Sequence, residues 1–375
     1  MDKRTFIKTA GLGLAALATS PYTMALKPAA PGAVPKNWIW MRPQAGKTLD
    51  HWKTQLEKMK SHGIDAVLPE VYNSNNAWFE TGRLPMREPL LETLIKAGQE
   101  TGVEVHSWMW TMPNNMPEYT EKHPEWYAVN RAGHRANTQP AYVPYYKFMC
   151  SSNPEVREFV RQNVADLASK EGLAGVHLDY VRLPDVILAE ALQPNYKIVQ
   201  DKEYPEYDYC YCDTCRKNFK DKTGLDPLKD IADPAFHTEW RQFRYDTITY
   251  MVREVLAPEA HKAGKQITAA VFPNWESVRQ EWRNWNLDGY LPMLYHNFYN
   301  AQLSWVGDQL REKISQLKEK KPVYSGLFIP SIKPEQLDEA FRVSLEAGAG
   351  GLALFSYNDL KEEHWAVLKQ LKKSK

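Results

Sequence analysis

The segment "AGVHLDYVRLP", residues 174–184, is an apolar run of the kind buried in a parallel sheet, yet it carries a carboxylate at Asp179 and, three residues later, Arg182. A carboxylate in such a place is costly unless it is solvated or paired. Side chains alternate along a strand, so His177, Asp179 and Val181 share one face and Leu178 and Tyr180 the other. With Leu178 and Tyr180 turned toward covering helices, Asp179 points into the interior of a closed sheet near its C-terminal end, one layer above His177. An Asp179–Arg182 ion pair is the structural reading of the segment, and a place in a reactive cleft is the functional one.

Outward from this segment, β-rich apolar runs alternate with helix-period segments. Strands are expected at 37–43, 65–72, 103–110, 174–183, 266–273, 289–296, 322–330 and 350–358. Helices fall between them, including "VRQEWRNWN" after the fifth strand and "TEWRQFRYDTITYMVREVLAPEAHKAG" before it. Gly63, Gly102, Gly172, Gly264 and Gly348 close several of these helices, as C-termini prefer. Eight strand–helix units imply an α/β fold, a (β/α)8 TIM barrel. An open doubly wound sheet is the competitor, but the glycine-rich "GLGLAA" does not follow a strand. The connections after strands 3 and 4, residues 111–153 and 184–237, are long and both rise from the C-terminal face of a barrel, where active sites of this fold are built. A single barrel domain over 37–375 is therefore expected, with these two segments as top-face insertions.

Residues 1–26 read as an export signal of twin-arginine-like or Sec type, with a basic start (Lys3, Arg4, Lys8), a short Gly/Leu/Ala stretch and small-residue sites. The stretch is too short for a stable membrane span. A periplasmic or secreted protein is expected. Its removal takes away Lys3, Arg4, Lys8 and Asp2, moving the net charge from +1 to −1. A near-neutral chain offers nothing to nucleic acid. The 13 Trp and 20 Tyr exceed the needs of a core and suit a cleft where flat rings stack on a ligand.

"CYCDTC" places Cys210, Cys212 and Cys215 together, and Cys150 is the one other cysteine. Four thiolates suit tetrahedral zinc, and with no open position such an ion is structural. Cys150 belongs to the loop after strand 3 and the trio to the loop after strand 4, so the metal would clamp the two. The alternative is a disulfide from Cys150 to one of the trio, as an oxidising compartment favours.

Other acids at comparable heights are Glu70 ("LPEVY"), Glu276 ("FPNWES") and Asp185. Trp40, Arg42, Tyr72, His106, Trp108, Trp110, Arg182, Trp275, Tyr295, His296, Asn297 and Tyr357 stand around them at strand ends. There is no serine nucleophile elbow, HExxH or phosphate loop. Two carboxylates flanked by stacking rings are the equipment of glycoside cleavage, one protonating the leaving oxygen and the other attacking carbon or activating water. Asp179 is the expected nucleophile or base, Glu276 the preferred acid and Glu70 the second choice. Arg42, Trp40, Tyr72, His106, Trp110, Arg182, Trp275, Tyr295, Asn297 and Tyr357 are the expected substrate contacts. Trp108 is given less weight. A carbohydrate-binding barrel without catalysis is the alternative; it would keep the rings and need no second acid. A metal-dependent hydrolase is disfavoured, because no histidine cluster of ligand spacing stands at the strand ends.

The phrases "GVHLDYVRLP", "SVRQEWRNWNLDGYLPMLYH" and "AGAGGLALFSYNDL" resemble the glycosyl hydrolase-like family 10 barrels of exported bacterial proteins, over a span from "WIWMRP" to "LFSY". The resemblance implies a TIM barrel acting on bacterial or environmental polysaccharide, with some members thought to cleave peptidoglycan glycan strands. The cysteine trio is similar to the zinc knuckle of family 42 β-galactosidases. Those enzymes carry an Asn-Glu pair after strand 4 and a Glu after strand 7. The corresponding "LDYVRLP" and "GLFIP" here have neither glutamate, so their catalytic residues do not carry over.

Overall fold

The computed structural model describes residues 35–373, and the expected export signal lies outside them. Eight parallel strands form one sheet: β1 Trp38–Met41, β2 Ala66–Tyr72, β3 Glu104–Trp110, β4 Gly175–Asp179, β5 Gln266–Val271, β6 Gly289–Pro292, β7 Ser325–Phe328 and β8 Leu352–Phe355. Their order is β6-β5-β4-β3-β2-β1-β8-β7. The remaining gap closes through parallel bridges Tyr290–Val323 and Met293–Gly326, with Leu294 N–H donating to the Gly326 carbonyl at 2.9 Å. Gly326 is needed there, since a Cβ would stand 2.3 Å from the Pro292 carbonyl oxygen. The result is a (β/α)8 TIM barrel.

Among the described residues ten α-helices accompany the strands: α1 Leu49–Ser61, α2 Leu90–Thr101, α3 Pro117–Lys122, α4 Pro154–Ala168, α5 Asp213–Thr223, α6 Thr238–Tyr250, α7 Ala257–Lys262, α8 Ser304–Gln316, α9 Leu337–Glu346 and α10 Glu362–Lys373. A π-helical turn, Met251–Leu256, fuses α6 and α7 into the one long helix expected from the sequence. α4 starts where Asn153 accepts from the Glu155 and Val156 N–H groups with Pro154 at the first helical position. α3 and α5 belong to the long connections after β3 and β4. Among the described residues no helix is long and apolar enough to cross a membrane.

The helix expected at "VRQEWRNWN" does not form. Two short 3-10 turns, Trp275–Val278 and Trp282–Asn284, replace it. Arg279 adopts a left-handed φ of 56°, and the buried Gln280 side chain spans the ends of two strands, donating to the Val181 and Ala270 carbonyls and accepting from Phe272 N–H. Strand-end satisfaction outweighs local helix period at this point.

Alternation along the strands divides the core into two shells. Trp38, Trp40, Ala66, Leu68, Trp108, Ala270, Leu291, Tyr324 and Ala353 fill the barrel interior, where bulky rings of β1 and β3 meet alanines of β2, β5 and β8. Ile39, Val67, Val105, Met109, Val176, Leu178 and Ile267 face the helices.

The two long connections dock on one another. Tyr211 N–H donates to the Val129 carbonyl at 2.7 Å and Arg131 N–H to the Asp208 carbonyl at 2.9 Å. Asp208, itself buried, binds the guanidinium of Arg244 on α6 and the Tyr211 hydroxyl. Arg279 reaches Glu203 at 2.5 Å and Asp208 at 3.5 Å. Through these ion pairs the connection after β4 is fixed to α6 and to the turn after β5.

Candidate active site

A cavity of about 210 Å3 opens at the C-terminal ends of the strands. Its floor holds two carboxylates, Glu70 at the end of β2 and Asp179 at the end of β4, with Trp108 and Trp110 of the intervening β3 between them. Tyr146 from the connection after β3 and Tyr180, Leu188, Leu192 and Tyr196 from that after β4 make one wall. Tyr295, Phe298 and Tyr299 after β6 make the opposite wall, while Phe272 and Phe355 close the ends of β5 and β8.

Asp179 ends its strand abruptly. Tyr180 takes a left-handed φ of 51°, and its N–H donates to Asp179 Oδ1 at 2.7 Å. The turn swings the Tyr180 ring into the cavity, against Trp110 at 4.6 Å between centroids, instead of toward the helices as strict alternation predicts. Trp108 Nε1 donates to the other oxygen of Asp179 at 3.0 Å. Trp110 Nε1 donates to Glu70 Oε2 at 3.1 Å. Burial pushes the Asp179 carboxyl up to about 6, against the pull of the Tyr180 and Trp108 donors and the Arg182 charge. Burial likewise pushes Glu70 up to about 7, with Arg42 and Trp110 opposing and the Asp179 charge adding to the rise. Between about pH 6 and 7 the pair therefore carries one proton, chiefly on Glu70.

The raised value at Glu70 has a consequence for stability. The folded chain holds a proton on Glu70 between about pH 4.5 and 7 that the unfolded chain has released, so this group's contribution falls as pH rises through that window and stays lost above it. Glu70→Gln abolishes the penalty while keeping an acceptor for Trp110. We expect the variant to match wild type near pH 4 and to exceed it at pH 8 by up to roughly 3 kcal/mol, read by urea unfolding at the two pH values. Equal stability differences at both would remove the assignment of a buried, proton-binding Glu70.

Arg182 is wholly buried, and its partner is Asp185, at 2.9 Å, not Asp179. It also donates to the Leu183 carbonyl and the Tyr146 hydroxyl and is surrounded by the rings of Tyr146, Phe148, Tyr180 and Phe272. The Asp179–Arg182 ion pair is therefore replaced by a bolt that holds the cavity wall, leaving Asp179 to face the opening.

The other expected residues divide into three groups. Arg42, Glu70, Trp110, Asp179, Arg182 and Tyr295 line the cavity together. Trp40 and His106 point into the barrel but below its floor. Trp40 donates to His177 Nε2 at 3.1 Å, so His177 is neutral and its Nδ1–H faces Thr268 Oγ1 at 2.9 Å. His106 contacts Glu104 at 2.9 Å at the opposite, N-terminal end.

Tyr72, Glu276, Trp275, Asn297 and Tyr357 lie outside the lining. Tyr72 is displaced by a β-bulge: β2–β3 register slips between Glu70 and Tyr72, turning the ring out among the helix-facing residues. Glu276 and Trp275 sit on the 3-10 turn after β5, and Trp275 packs on Tyr245. Tyr357 lies past the end of β8 and donates to Gln55 on α1. Trp108, Tyr180 and Phe355 line the cavity in their place. Phe355 has the inward parity of Ala353, and Phe298 and Tyr299 adjoin Asn297 in "HNFYN".

Cys150, Cys210, Cys212 and Cys215 are buried and their sulfurs lie within 4.8 Å of one another. Cys150 Sγ is 3.4 Å from both Cys212 and Cys215. Sulfurs bound at about 2.3 Å to a tetrahedral ion would stand about 3.8 Å apart, so the cluster fits a metal with little adjustment. The neighbouring thiols hold Cys212 low while burial and the same neighbours push Cys210 and Cys215 up. Such a set ionises fully only around a cation.

No curated protein sequence matches the chain. Among solved structures it is similar to the glycoside hydrolase domain of PgaB (BpsB) from Bordetella bronchiseptica, with a TM-score of 0.68 at 14% identity over 90% of this chain and 98% of that one. It is also similar to the catalytic domain of β-amylase from Paenibacillus polymyxa, with a TM-score of 0.63 at 12% identity over 91% and 98%. A family 42 β-galactosidase from G. stearothermophilus gives 0.59 at 14% identity over 90% and 56%. At these identities the likeness establishes the barrel and leaves chemistry to the residues. The family model described as Glycosyl hydrolase-like 10 matches residues 38–344, most of the barrel, and the chain belongs to that family.

Proposed function

We propose that the protein is a glycoside hydrolase in which Glu70 and Asp179 are the working pair. The observation that carries this reading is the pair itself: two carboxyls with raised proton affinities, two strands apart, at the bottom of one ring-walled cavity. Glu70, the more readily protonated, gives its proton to the glycosidic oxygen as the bond to the anomeric carbon breaks. Asp179, ionised and held at both oxygens, attacks that carbon in a retaining reaction or takes a proton from the attacking water in an inverting one. The cavity rings offer apolar faces on which a sugar can stack. Glu70 thus takes the acid role that the sequence assigned first to Glu276.

The test is incubation of the wild type with a panel of polysaccharides and peptidoglycan, with product anomers followed by NMR. A new reducing end that forms with wild type supports hydrolysis. Tight binding of a glycan with no cleavage anywhere in the panel would instead support the receptor reading.

Two further proposals accompany it. The cysteine cluster holds a structural zinc, on the support of its four-sulfur donor set and closed geometry. The chain is exported to the periplasm or beyond, on the support of the basic-apolar pattern of residues 1–26.

A further inference from the structure

We propose that Trp108 and Trp110 are positioning residues: each indole N–H holds the carboxyl that lies diagonally from it and favours its ionised form, Trp108 keeping Asp179 ionised and Trp110 setting how firmly Glu70 keeps its proton. This rests on reading those two carboxyls as the working pair.

The register makes the arrangement unusual. Trp108 is level with Glu70 on one side and with His177 on the other, and Trp110 is level with Asp179. Each indole nevertheless bypasses the acid beside it. Trp108 reaches toward the strand end to Asp179 Oδ2, at 3.0 Å, and Trp110 reaches back to Glu70 Oε2, at 3.1 Å. Packing keeps the crossed rings in place, Trp108 against Phe355 and Trp110 against Tyr180 and Tyr145.

The donors are unequal in effect because the two carboxyls differ in their remaining partners. Asp179 already accepts the Tyr180 N–H on Oδ1, so the Trp108 indole completes a set in which both oxygens accept, the state suited to the ionised form. Glu70 has the Arg42 charge, the Trp110 indole and a lesser bond from Asn73, against the charge of Asp179. The other groups around the pair do not reverse this order. Asp179 faces Arg182 from its own loop, Tyr295 from beyond β6 and the neutral His177 beneath, while β5 and β8 present the uncharged Phe272 and Phe355. An indole N–H has no acceptor role and does not titrate, so it can only favour the ionised partner.

Trp108→Phe and Trp110→Phe keep an aromatic ring and delete one donor each. The readouts are the carboxyl carbon shifts of Glu70 and Asp179 followed by NMR across pH, and the pH–rate profile on a cleaved glycan. Losing a hydrogen bond to a charged group moves a titration by about one pH unit. Trp108→Phe is expected to raise the lower of the two titrations, and the acid limb of the rate profile, by about that much. Trp110→Phe is expected to raise the upper titration and the basic limb. A purely space-filling role would move neither limb. Unchanged titrations in both variants overturn the proposal, and Trp110→Phe, at the less buried of the two rings, decides alone if Trp108→Phe does not fold. Shifted titrations in a protein that cleaves no glycan would uphold the positioning role and refute the working pair.

Discussion

Asp179→Asn is expected to lower turnover by about 10²- to 10⁴-fold with little change in fold, because Asn keeps the size of the side chain and its amide oxygen still accepts from one of the two donors, Tyr180 N–H or the Trp108 indole, although its NH2 cannot accept from the other. The amide lacks the negative charge that either stabilises developing positive charge at the anomeric carbon or takes the proton of the incoming water. The loss therefore appears for every leaving group. Glu70→Gln behaves differently. Without a proton donor, cleavage of a natural sugar leaving group suffers by a similar factor, but an activated aryl glycoside, whose phenolate departs unaided, loses its aglycone at close to the wild-type rate; in a retaining reaction the later attack of water, which needs the same residue as base, is slowed. Glu276→Gln, at a turn outside the cavity, changes neither. In wild type the reactive form has Asp179 ionised and Glu70 protonated, so the rate should peak between the pair's two titrations, at about pH 6 to 7. If Asp179→Asn kept full rate on the natural substrate while Glu276→Gln abolished it, the roles assigned here would be wrong.

The contrast between Glu70 and Glu276 shows what the sequence carried and what it did not. Period-2 alternation was enough to turn Asp179 and Glu70 inward and to place eight strands, since burial of one face is what alternation encodes. It failed wherever the chain left regular geometry. Parity would turn Tyr72 inward like Glu70, but one extra residue in the β2 ladder reverses it. Parity puts Tyr180 on the helix side, but its left-handed backbone sends it into the cavity. A β5 that reaches residue 273 makes Glu276 a strand-end acid, whereas the strand stops at Val271 and Gln280 folds back over it. Bulges, left-handed residues and side chains that cap strands have no periodic signature in one sequence. The loop cysteines, by contrast, were legible at a distance of sixty residues, because thiols of that number and spacing have few uses.

Cys212→Ser, or removal of metal by a strong chelator, is expected to have the largest effect on stability. The cluster is drawn from two top-face connections, Cys150 shortly before α4 and the trio at the start of α5. The same connections carry Tyr146 and the Tyr180–Tyr196 wall of the cavity. Losing one thiolate leaves three buried sulfurs that repel one another when ionised and that have no route to water. We expect the zinc content to fall from one per chain to none and stability to drop by more than about 4 kcal/mol, a range reached by few single changes other than loss of a metal or a disulfide. The barrel has its own interior of tryptophan, tyrosine and aliphatic side chains, apart from the cysteines. Far-ultraviolet circular dichroism should therefore keep most of its signal while the first thermal transition moves to lower temperature. Activity should fall with that transition, because Arg182 and Tyr146 then lose their fixed positions beside Asp179 and Glu70. Metal analysis decides between this account and the disulfide. One zinc and four thiols released together on chelation support the clamp; no metal, two free thiols and a stability that responds to reductant would replace it with a Cys150 bridge.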